Sequence, residues 1–118
     1  MSMTAFKRVF LASLLTFIAS GALAAKPSPD SALNLLKQGN QRFAAGKSTH
    51  PNTSAARIGL AGRENQGDHA YATVITCSDS RVPVERVFDA GVMDLFVVRV
   101  AGNVIDTDEA GSIEYGLD

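Results

Sequence analysis

Cys77, Asp79 and Arg81 alternate along Cys-Ser-Asp-Ser-Arg, directly after the apolar run at residues 71–76. A thiolate is a soft ligand that suits zinc. A guanidinium can grip a carboxylate through paired, charge-assisted hydrogen bonds. If the chain stays extended past Cys77, the alternation sends these three side chains to one surface and Ser78 and Ser80 to the other. The same residue types also fit an inert buried cysteine beside a surface ion pair, and spacing alone leaves both readings open. Two other thiol chemistries are excluded by the letters. A cysteine phosphatase loop needs Arg six positions after the Cys, where Pro83 stands. A thioredoxin-like site needs a second Cys three positions on, where Ser80 stands, and Cys77 is the single cysteine of the 118 residues.

These residues need a scaffold that brings a strand tip to a ligand. Tyr-Ala-Thr-Val-Ile-Thr and Leu-Phe-Val-Val-Arg-Val read as strands of the buried, parallel kind. Pro-Val-Glu-Arg-Val-Phe reads as a short helix between them. A further helix begins after Asp106 or Thr107, with acids in its first turn. Strand, helix, strand, helix predicts an α/β fold with a parallel sheet and flanking helices. Ligands of such sheets sit beyond the carboxyl ends of the strands, which is where Cys77 falls. Upstream, Ser28 as cap and Pro29 as first residue open a helix whose apolar face is expected at Leu33, Leu36, Asn40 and Phe43. Gly46 is its expected stop, and Gly39 is expected to weaken its middle. Ser-Ala-Ala-Arg-Ile-Gly-Leu-Ala-Gly reads as a second short helix. A parallel sheet of two strands does not bury its own edges, so the expectation is the front part of a longer domain, incomplete at the C-terminus.

The first 24 residues carry Lys7 and Arg8, an apolar stretch from Val9 to Ile18, and Ala-Leu-Ala. This is the layout of a secretory signal peptide, so export to a periplasm or beyond is expected, with cleavage after Ala24 and no membrane attachment afterwards. The expected division is a signal peptide at 1–24, a helical arm at 25–70 and the first half of an α/β domain at 71–118. Cleavage takes two of eleven cations, leaving nine against twelve anions, a net charge of −3. No basic stripe with interleaved aromatics appears, which gives nucleic-acid binding no footprint.

Cys-Ser-Asp-Ser-Arg-Val-Pro, then Asp-Leu-Phe-Val-Val-Arg-Val-Ala-Gly-Asn and Gly-Ser-Ile-Glu-Tyr-Gly-Leu-Asp, resembles the β-class carbonic anhydrases. Ala-Leu-Asn-Leu-Leu-Lys-Gln-Gly-Asn-Gln-Arg-Phe-Ala-Ala-Gly is similar to that family's entry helix, so the resemblance runs from about Ser28 onward. It implies a zinc enzyme that interconverts carbon dioxide and bicarbonate and assembles as a homodimer or larger homo-oligomer. It also implies Cys77 as the first zinc ligand. Asp79 corresponds to an aspartate that either takes the fourth zinc position or swings away to pair with the arginine matched by Arg81. Phe96, Arg99, Gly102 and Asn103 correspond to a second-strand motif that supports the site without binding metal. Two departures, Asp68-His69-Ala70 in place of Gln-x-Pro and Val100 in place of Asn, bear on the substrate pocket.

The resemblance also implies a His-x-x-Cys zinc pair after a further strand, and the 118 residues hold no such motif. His69 does not substitute, because the extended chain leaves it roughly 20 Å from Cys77. His50, on a loop, is expected to be solvated. The 118-residue chain alone is therefore expected to be inactive. Two other readings are a non-catalytic fragment or interaction module, and a relative acting on carbonyl sulfide or carbon disulfide.

Overall fold

The computed structural model describes residues 25–117, so the expected signal peptide lies outside the described residues. Helix α1 spans Pro29–Ala44. The Ser28 hydroxyl accepts from the Ser31 N–H at 3.3 Å, and Pro29, which has no N–H to leave unpaired, opens the first turn. Gly46, at φ +66°, ends the run in the left-handed region where a side chain is disfavoured. Helix α2 spans Ala55–Ala61, capped by Ser54. Strand β1 is Ala72–Cys77, helix α3 is Val84–Val87 and strand β2 is Leu95–Val100. A tight turn at Ala101–Asn103 leads to α4, Thr107–Tyr115. A reciprocal cap starts α4: the Asp106 carboxylate accepts from Thr107 N–H at 2.7 Å while Glu109 accepts from Asp106 N–H at 2.9 Å.

β1 and β2 pair in parallel, with Ala72 opposite Leu95 and Cys77 opposite Val100. The α/β architecture read from the sequence is therefore the one observed. Its core is small: Val84 from α3, Met93, Leu95 and Val98 around β2, and Ala32 from α1. β1 is half-buried along its whole length. Among the described residues no helix is long and apolar enough to cross a membrane.

The packed face of α1 differs from the expected one. Ala32 and Gly39 are buried, with Leu36 and Asn40 half-buried beside them. Leu33 and Phe43 remain 49% and 42% exposed. The reason lies at Gly39. A Cβ there would stand 1.8 Å from the Phe88 carbonyl oxygen, so α1 crosses the end of α3 backbone against backbone. That close approach rotates the contact stripe toward the small residues. Gly39 is thus the crossing point of two helices, and its missing side chain is what permits the contact. Asn40 seals the same crossing by donating to the Val87 carbonyl at 3.1 Å.

Two buried carboxylates in the turn between α3 and β2 hold the arm. Asp89 accepts from Arg42 Nε at 2.6 Å, from the Thr49 N–H and hydroxyl, and from the His50 N–H at 2.9 Å. Asp94 accepts from Asn52 Nδ2 at 2.8 Å, from the Gly91 N–H at 2.7 Å and from Arg57 Nη2 at 3.3 Å. His50, Asn52 and Asp89 all have positive φ, an unfavourable backbone for side-chain-bearing residues that these hydrogen bonds offset. A Cβ on Gly91 would stand 2.0 Å from the Pro51 carbonyl, so loop and turn meet with no room for one.

Candidate functional site

Cys77 ends β1, and the loop that follows turns sharply. The Asp79 carboxylate accepts from the Arg81 N–H at 2.9 Å, and the Val82 N–H returns to the Asp79 carbonyl at 3.3 Å. An aspartate that bonds the backbone two residues on makes a local turn. The expected extended alternation through Arg81 therefore does not occur, because Asp79 uses its side chain to bend the chain. The same bend brings the Arg81 guanidinium back onto the carboxylate: Nε lies 2.9 Å from Oδ1 and 3.1 Å from Oδ2, and Nη2 lies 2.6 Å from Oδ2. Asp79 and Arg81 thus meet through two bonded nitrogens and a backbone amide, by turn geometry instead of strand geometry.

Charge follows geometry. The Arg81 side chain, then its N–H, pushes the Asp79 carboxyl below its ordinary range, and Asp79 in turn raises the guanidinium. The Cys77 thiol is pushed down first by the Asp79 N–H and then by that of Gly102, which lies 3.3 Å from Sγ. Gly102, at φ +75°, and Asn103, at φ +43°, form a left-handed pair that aims backbone N–H groups at the sulfur. The thiolate is thereby favoured at a half-exposed strand tip, the form in which sulfur binds metal or reacts.

Arg99 lies on β2 opposite Thr76, and its Nη2 donates to the carbonyls of Asp79 at 2.8 Å and Val82 at 3.2 Å. Nothing in local spacing announces a contact spanning twenty residues. The parallel register does, since it sets Arg99 level with the end of β1. Neither histidine comes to this place. His50 bonds Asp89 through its backbone, at the arm junction. His69 precedes β1 at the opposite end from Cys77, paired with Glu64 and adjacent to Arg57. A cleft of about 490 Å³ beside Phe96 and Tyr115 is lined by neither Cys77, Asp79 nor Arg81.

Residues 72–118 match the family described as carbonic anhydrase. Over 91 residues the chain is 47% identical to carbonic anhydrase 2 of Mycobacterium tuberculosis, covering 76% of this chain and 42% of that protein. Carbonic anhydrase of Mycolicibacterium smegmatis is 44% identical over 90 residues, with the same coverage of 76% and 42%. That of Synechococcus elongatus is 40% identical over 58 residues, 44% of this chain and 21% of the relative. The chain thus spans less than half the length of the curated relatives it matches.

Proposed function

We propose that the full-length protein, whose residues 72–118 match the carbonic anhydrase family, is a β-class, zinc-dependent enzyme interconverting carbon dioxide and bicarbonate. The observation that carries this reading is the meeting of the Cys77 thiol with the Asp79–Arg81 pair at one strand tip inside the matched segment. We assign Cys77 as one zinc ligand, and Asp79 and Arg81 as a gate.

Cys77 is a soft donor with its thiolate favoured and its sulfur half-exposed, which suits zinc. Among the described residues no group of three or more His, Cys, Asp or Glu side chains is placed to hold an ion. Cys77 and Asp79 therefore make one corner of a site, and a polypeptide of these 118 residues is expected to hold zinc weakly and to lack hydration activity. Zinc, when bound with an open position, supplies Lewis-acid activation of water near neutral pH. The chain's own residues act beside it. Arg81 holds the Asp79 carboxylate by both oxygens, which keeps a competing anionic donor turned toward the guanidinium. Gly102 N–H holds the sulfur, orienting it at the strand tip. Export through residues 1–24 to the periplasm, and assembly into a homodimer or larger homo-oligomer, complete the proposal.

Zinc content and carbon dioxide hydration, measured on the full-length protein and on its Cys77→Ser variant, test this. About one zinc per subunit with turnover is expected in the parent, and loss of both in the variant. A folded, metal-free Cys77→Ser protein with undiminished turnover overturns the reading. Turnover of carbonyl sulfide and carbon disulfide on the same samples fixes the substrate.

A further inference from the structure

Arg99 is an exposed side chain, so burial does not force it to bond to anything. It nevertheless spans from β2 to the loop after β1 and spends one nitrogen on two peptide carbonyls, Asp79 at 2.8 Å and Val82 at 3.2 Å. Two carbonyls three residues apart converge on one donor only while the turn between them is closed. That closure is the one made by the Asp79 side chain and the Val82 N–H. The guanidinium therefore reads the shape of the turn that presents Asp79 and Arg81. Its bonds go to main-chain oxygens, so it leaves the Asp79 carboxylate free to keep or change its partner. Three residues further along the same strand end, Gly102 holds the Cys77 sulfur. One short segment, residues 99–102, is thus tied to both halves of the site.

We infer that Arg99 is a positioning residue, a clamp that fixes where the Asp79–Arg81 turn stands relative to the Cys77 thiol. The inference deepens the proposed function, and its catalytic consequence rests on that reading. The structural consequence does not. Lysine keeps the charge but carries its ammonium on a shorter, more flexible stem, so it is expected to hold the turn less well.

Amide hydrogen exchange and carbon dioxide hydration, followed together in the full-length protein and in Arg99→Ala and Arg99→Lys, separate the possibilities. The clamp predicts exchange at the Arg81 and Val82 amides faster by about tenfold in Arg99→Ala, intermediate in Arg99→Lys, and unchanged at Val98 in β2. It also predicts a kcat lower by about tenfold at unaltered KM. Unchanged exchange at residues 81 and 82 overturns it. So does acceleration spread evenly over β1 and β2, which marks a general stabiliser. Selective acceleration with an unaltered kcat overturns the catalytic consequence. Selective acceleration in a protein whose parent form has no hydration activity overturns the proposed function and sustains the clamp. If Arg99→Ala does not fold, Arg99→Lys against the parent makes the same comparison.

Discussion

Acid–arginine pairs occur at both ends of this small sheet, and they differ in almost every respect except chemistry. At the arm junction, Asp89 is completely buried and meets Arg42 from 47 residues away. At the strand tip, Asp79 is 34% exposed, Arg81 is 87% exposed, and the partners are two residues apart. The buried carboxylates collect backbone and side-chain donors from several elements, so removing either leaves stranded partners. The exposed pair can part and find water at once. Burial and sequence distance make the first kind a fastener; exposure and proximity make the second a movable part.

The largest effect expected from this contrast is on stability. Asp94→Ala strands Arg57 and Asn52 and should destabilise the fold by about 3–5 kcal/mol, measured by urea denaturation. A shift of under about 1 kcal/mol would erase the distinction between the two regions. Acid sharpens it next. Asp89 has its carboxyl held well below the ordinary 3.8 by the Thr49 N–H and then by Arg42. A depressed folded value means that its stabilisation is whole above the ordinary value and is lost as pH falls below about 4 toward the folded one. The parent should therefore lose denaturation midpoint more steeply between about pH 5 and pH 2 than Asp89→Asn does. Parallel curves would remove Asp89 as the source. The smallest stability effect belongs to the tip: Arg81→Ala should leave the midpoint where it was, while hydration by the full-length protein falls about tenfold or more. An unstable Arg81→Ala protein would make the tip a fastener too.

What the sequence disclosed divides along the same line. α1 began where Ser28 and Pro29 said it would, β2 matched residue for residue, and the α4 cap was visible in Asp106 and its neighbours. All three depend on contacts within a few residues. The pairing of Asp79 with Arg81 was legible for the same reason, although the bend that joins them was read as an extension. No local spacing marks Asp89 or Asp94 as anchors, because their partners lie some forty residues upstream. Leu33 and Phe43 fit a helical stripe, yet a backbone crossing at Gly39 chose another face. That choice depends on Phe88, which enters only through the tertiary fold.

The turn from Asp89 to Asp94 carries a further consequence for how the molecule comes into being. It supplies the anchors for α1, for the loop at 49–52 and for α2, yet it is made after all of them. A ribosome releases the arm first, as segments with nothing to grip, and a lone helix of 16 residues is marginal in water. Order in the arm must wait for the later-born crossover, so synthesis runs in one direction and consolidation in the other.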